Sequence, residues 1–144
     1  MDCFYLHGFA SSPQSAKAIY LRDRFAILNL DINSPDLNQG NFSQLTITRQ
    51  IEQVEAEFPP LAVPVTLIGS SLGGLTAAWL GQRNSQVQRL ILLAPAFQFL
   101  SHWLPQLGEE KLQQWQVEQY LIVHHYREKR SLPLSYEFVL DAAH

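Results

Sequence analysis

"VTLIGSSLGGLTAAWL", residues 65–80, decides how this chain is read. An apolar run stops at Gly69, crosses Ser70 and Ser71, meets Gly73 and Gly74, and resumes as a segment in which Leu72, Leu75 and Trp79 share a helical face. Gly69-Ser70-Ser71-Leu72-Gly73 fits the pattern G-x-S-x-G, with a strand expected before it and a helix after it. A serine held at the tip of a strand-to-helix turn needs a sharply bent, strained backbone, and glycines two residues to either side leave room for the close approach. Ser71 is then the exposed residue and the candidate nucleophile. The N–H of Leu72, at the helix N-terminus, is a natural donor to a developing oxyanion. The stretch is no phosphate loop, since "GSSLGG" lacks the Lys-Ser/Thr pair such a loop needs.

Upstream, "CFYLHG" reads as a buried strand over residues 3–6 that runs into a loop. His-Gly in "HGFASS" lies where a second oxyanion donor is usually found; the N–H of Phe9 is the expected donor, and His7 is read as orienting the loop. Ser12 and Pro13 look like a helix start, with Ala16, Ile19 and Tyr20 at helical spacing behind them. Residues 25–32, "FAILNLDI", read as a second strand, and "NSPDLNQGN" as a loop. Beyond Phe42, the residues Ile47, Ile51, Val54 and Phe58 mark one face of a helix that Pro59 and Pro60 end.

Strands expected over residues 63–68 and 87–93 complete four strands alternating with three helical stretches, the pattern of a parallel sheet wrapped by helices with its sites at the carboxyl ends of strands. Trp79, Ile91 and Leu92 are assigned to the core. After Ala96 the texture turns to aromatics and glutamine without a β-branched run, and it reads as helices; "LPLSYEFVL" stays open as strand or helix. The organisation expected is a single domain over residues 1–144, with a sheet core over 1–96 and a lid-like helical section over 97–144. Phe97, Phe99, Trp103, Trp115 and Tyr120 in that section fit lid packing more readily than an acyl or aryl pocket.

Taken together, "YLHGFASSPQSAKA" and "LIGSSLGGLTAAWL" resemble the YqiA-like esterases, a small branch of the α/β-hydrolase superfamily. The likeness extends over nearly the whole chain and includes "LLAPA" after the nucleophile helix. It implies a cytoplasmic serine esterase acting on short carboxylic esters, with Ser71 as nucleophile and the backbone of Phe9 and Leu72 as oxyanion hole. It implies no metal or organic cofactor.

Composition sets the outer limits. With 47% hydrophobic and 16% charged residues, 144 residues suffice for one ordinary domain with a core. The net charge is -3, and Lys and Arg are scattered apart from "REKR" at residues 127–130, so nucleic acid is a poor partner. The lone Cys3 is read as a small buried hydrophobe in a reducing compartment. The N-terminus lacks the basic, apolar pattern of a signal peptide, and no apolar run is long enough for a membrane span, so no membrane partner is expected.

A serine hydrolase also needs a histidine base and an acid, and in this fold they follow the nucleophile in the order acid, then histidine. Asp141 and His144 have that order but lie only three residues apart, whereas the two roles need separate strand ends. The resembled family continues through further strands that would carry the pair, so the 144 residues are expected to be a C-terminally truncated piece. A sheet cut short exposes an apolar edge, from which self-association into a homo-oligomer is expected. Two functions stay open: a serine esterase for a small-molecule ester, or a catalytically incomplete hydrolase-like domain that binds a ligand or partner.

Overall fold

The structure is a computed structural model that describes residues 2–126 and 128–143. Its frame is a three-stranded parallel sheet in the order β1-β2-β3, formed by β1 (Asp2–Leu6), β2 (Val65–Ser70) and β3 (Val87–Leu93). Register pairs Leu6 with Gly69 and Gly69 with Leu92, which brings the carboxyl ends of all three strands to one rim.

Alternation along the strands divides the interior in two. Phe4 and Leu6 of β1, with Val65 and Leu67 of β2, point into the larger core, while Tyr5 and Ile68 point into the smaller one. The smaller core is closed by α1 (Ala16–Ile27), which contributes Ala18, with Leu21 and Phe25 packed alongside. On the larger face lie α2 (Ile47–Ala56), through Ile47, Ile51 and Val54, and α3 (Leu72–Arg83), through Leu72, Ala77 and Leu80. A short 3₁₀ turn, Phe42–Gln44, precedes α2, so the helical face expected from Phe42 onward is interrupted before the Thr46 hydroxyl caps α2 by accepting the Arg49 N–H at 3.0 Å. Every residue of β2 is buried, as befits a central parallel strand.

Several expectations are corrected. Residues 25–27 belong to α1 and not to a second strand. The helix is capped at Leu28 and followed by Asn29 with a left-handed φ of 56°, while Leu28 and Leu30 stay exposed. Only Asn33 reaches the sheet, in a single bridge beside Phe4; Pro35, without an N–H, cannot extend the ladder. The start of α1 is also later than expected. Ser12 makes a turn by accepting the Gln14 N–H at 3.1 Å, and the Ser15 hydroxyl caps the helix by accepting the Ala18 N–H at 3.2 Å.

Beyond Ala96 the chain is not wholly helical. α4 (Phe99–Leu107) and α5 (Glu109–Glu118) lead into an antiparallel hairpin, β4 (Tyr120–His125) with β5 (Arg130–Ser135), and then α6 (Glu137–Ala142). The hairpin forms because Leu121, Val123 and His125 alternate inward against exposed Tyr120, Ile122 and His124. Pro133 is tolerated because this sheet has two strands, and each strand is an edge. Trp115, Leu134, Phe138 and Val139 from this section enter the same core as Phe4 and Leu6.

Trp79 and Ile91 also depart from expectation, at 45% and 46% exposed. Among the described residues no further strand lies beside β3 in the sheet. Leu92 is half-buried against the larger core. Among the described residues no helix is long and apolar enough to cross a membrane.

Two outcomes test this packing. Inside the larger core the Thr76 hydroxyl donates to Gln50 Oε1 at 3.0 Å, with Leu72 O at 3.1 Å. Thr76→Val keeps the shape but strips Gln50 of its donor, and urea unfolding is expected to show a loss of about 1–3 kcal/mol. Cys3 is half-buried against the smaller core, and burial pushes its thiol up to about 11. Alkylation by iodoacetamide at pH 8 is expected to run roughly 100-fold slower in the folded chain than in urea.

Candidate active site

The turn between β2 and α3 has the strained form that its glycines foretold. Ser71 adopts φ 53° and ψ -116°, a left-handed backbone that costs a non-glycine residue on the order of 1–3 kcal/mol, and its side chain is exposed at the head of α3. A β-carbon on Gly73 would collide with the carbonyl of Leu6, and one on Gly69 with the carbonyl of Gly73. Helix α3 therefore leans directly on the end of β1.

The strained turn is held by its own backbone. Ser71 N–H donates to Leu93 O at 3.0 Å, and Ser71 O accepts from Gly74 at 3.0 Å, Leu75 at 3.2 Å and Ala96 at 2.9 Å. Behind it, Lys17 Nζ donates to the Ser70 hydroxyl at 3.0 Å, and the buried Tyr5 phenol hydrogen-bonds the side chains of Ser70 and Ser15. Burial of the phenol pushes its pKa up, against the opposite influence of those two hydroxyls. Serine and lysine side chains of α1 thus brace the rear of the elbow.

The His-Gly loop crosses in front. Gly8 passes so near that a β-carbon on it would lie 3.5 Å from Ser71 Cβ. His7 is buried with both ring nitrogens engaged: Nδ1 lies 2.8 Å from Gly8 O and Nε2 accepts the Leu37 N–H at 3.0 Å. With Nε2 also 3.8 Å from Asp36 Oδ1, these partners leave neither ring nitrogen available to a hydroxyl. His7 thus ties the loop in place, as its position suggested.

In front of Ser71 opens a pocket of about 170 Å³ lined by Phe9, Leu72, Ala96, Phe99, Trp103 and Phe138. The five expected aromatics divide: Phe99 and Trp103 line this pocket, Trp115 is fully buried with its indole N–H donating to Leu134 O at 2.9 Å, and Phe97 and Tyr120 are exposed. Phe138, not foreseen, stacks on Phe9 with centroids 5.5 Å apart. Its only sequence signal was its place in the "SYEFVL" stretch left open as strand or helix. Leu72 opens α3, so its N–H is among the helix donors that lack an intrahelical acceptor.

The expected acid lies elsewhere. Asp141 Oδ2 accepts the Thr48 N–H at 2.9 Å in the first turn of α2, and its carboxylate borders a separate pocket with Thr48 and Trp79. His144 lies outside the described residues. Among the described residues no histidine lines the Ser71 pocket.

Residues 2–141 match the family described as "Uncharacterised protein family (UPF0227)". The chain belongs to this UPF0227 family. That is the YqiA-like group to which the two sequence motifs pointed. Among solved structures the chain is similar to "Putative hydrolase from Agrobacterium vitis S4", at 25% identity and a TM-score of 0.80. It is also similar to "Alpha/beta hydrolase domain-containing protein 10 from mouse", at 22% identity and 0.74. Each likeness covers 99% of this chain and 60% of the other, so this UPF0227 chain spans about 60% of their length. Its fold is that of the α/β-hydrolases. No curated protein matches it.

The elbow geometry predicts two opposite substitutions. Gly73→Ala is expected to destabilise by about 3 kcal/mol or more, because neither carbonyl nor helix can retreat. Ser71→Gly is expected to be about 1 kcal/mol more stable than Ser71→Ala in denaturant titration, because glycine accepts the positive φ without strain.

Proposed function

We propose that this chain carries the nucleophile half of a serine esterase that cleaves short carboxylic esters through an acyl-enzyme on Ser71. The observation that supports it is the exposed, positive-φ Ser71 at the head of α3, facing an apolar pocket of about 170 Å³. Ser71 Oγ adds to the ester carbonyl as its proton passes to a base. The negative charge then gathers on the carbonyl oxygen, where the N–H groups of Leu72 and Phe9 receive it. Collapse expels the alkoxide, which takes up the proton, and water repeats the sequence on the acyl-serine. Phe99, Trp103 and Phe138 enclose the acyl group, and the small volume favours short chains.

The base is either the terminal Asp141–His144 pair or a histidine supplied from outside these residues. A second reading, an incomplete hydrolase-like domain that binds a ligand without turnover, draws on the bond that commits Asp141 to Thr48. Intact-mass measurement after exposure to a fluorophosphonate separates the two. One adduct, lost in Ser71→Ala, is the expected result, and an unmodified parent chain supports the non-catalytic reading. With p-nitrophenyl esters, butyrate is expected to turn over at least ~10-fold faster than decanoate, and Trp103→Ala to shift the preference toward longer chains.

The free edge of β3 supports self-association with a second copy. Leu90 and Ile91 are 41% and 46% exposed there. Sedimentation velocity is expected to show a dimer or larger species that Ile91→Lys shifts toward monomer.

A further inference from the structure

A second, larger pocket of about 480 Å³ opens between the loop around residues 36–43 and the β4–β5 hairpin. It shares no lining residue with the Ser71 pocket. We infer that it is a binding site for a neutral polyhydroxylated ligand, a sugar ring or a polyol of similar size.

The polar groups that line it are held by protein contacts of their own. His125 is 2% exposed, braced edge-on against Phe42 with centroids 5.0 Å apart, and its Nδ1 accepts the Glu128 N–H at 3.2 Å. That contact places the ring proton on Nε2, a donor for which no partner is found among the described residues. Burial holds this imidazole below its ordinary range, against the pull of Glu128 and Asp36, and keeps it neutral. Buried Asn38 donates one amide N–H to Ser11 O at 2.9 Å and also interacts with the Asp36 carboxylate, leaving its carbonyl oxygen as an acceptor. The buried Ser12 hydroxyl accepts from Gln14, which frees its proton. Asp36 Oδ1 accepts the Asn38 N–H at 3.1 Å and lies 3.8 Å from His7 Nε2, and the rest of the carboxylate is exposed to solvent.

Charge narrows the ligand. Arg130 lies 3.9 Å from Glu128, so these two offset each other, and the remaining polar lining consists of Asp36 with His125 and neutral amides and hydroxyls. A phosphate or other anion would face the carboxylate of Asp36, and a simple cation would leave the His125 and Ser12 donors without acceptors. Hydroxyl groups, which donate and accept at once, match a lining that offers both donors and acceptors. Phe42, Leu132 and Pro133 supply an apolar surface for the C–H face of a ring. The volume suits one or two sugar rings.

The test is ¹H–¹⁵N NMR titration of the chain with methyl α-D-glucopyranoside, methyl β-D-galactopyranoside and maltose, and with inorganic phosphate and 1,4-diaminobutane as contrasts. The expected result is saturable shifts for at least one sugar at the amides of Asn38, Phe42 and Glu128, with Asn38→Ala and the exposed Asp36→Ala each weakening binding about tenfold. Asp36→Ala decides the matter if Asn38→Ala does not fold. No saturable shift with any of the three sugars overturns the inference, as does tighter binding of phosphate or diamine, or sugar affinity unchanged in Asp36→Ala. The outcome is independent of whether Ser71 reacts with a fluorophosphonate.

Discussion

The contact on which this structure depends is one between backbones. α3 begins so close to the end of β1 that position 73 has no room for a β-carbon beside the Leu6 carbonyl, and position 69 has none beside the Gly73 carbonyl. This approach turns the chain abruptly at the rim of the sheet, forces the positive φ of Ser71 and aims the first N–H groups of the helix at the same point. A looser turn would bury the serine or let the helix drift from the strand. The strain is local, and the four backbone hydrogen bonds around Ser71 hold it in place.

The rest of the chain serves this point from two sides. From the smaller core, α1 sends Lys17 and Ser15 to Ser70 and Tyr5, so the polar atoms behind the elbow are satisfied without water. From the larger core, the elements after Ala96 bring Phe99, Trp103 and Phe138 around Phe9, which makes the front of the site apolar. The elbow is thereby given polar support behind and an apolar enclosure in front.

The elbow was legible because its constraint is steric and local: only glycine fits at positions 69 and 73, and the spacing shows it. The extents of β1 and β3 were legible for a similar reason, as short apolar runs bounded by turn residues. Residues 25–32 misled because an apolar run of that length suits a buried strand and a helix end alike, and the left-handed Asn29 that decides between them leaves little trace in the sequence. The hairpin was hidden by glutamine-rich helices on its N-terminal side, although Leu121, Val123 and His125 carried the two-residue period. Trp79 and Ile91 looked like core because their type is apolar; whether they are covered depends on a neighbour, and no residue reveals its neighbour from its own identity. The tie between Asp141 and Thr48, which spans 93 residues, is likewise a product of folding that spacing cannot disclose.

One pair of hydrogen bonds links the rim of the sheet to the elbow. Ser71 donates to Leu93 at the end of β3, and Ala96, three residues further on, donates back to Ser71. The outermost strand and the strained serine are thereby stitched into one mechanical unit. A chain laid along β3 would therefore meet the same strand end whose peptide groups hold the backbone of Ser71.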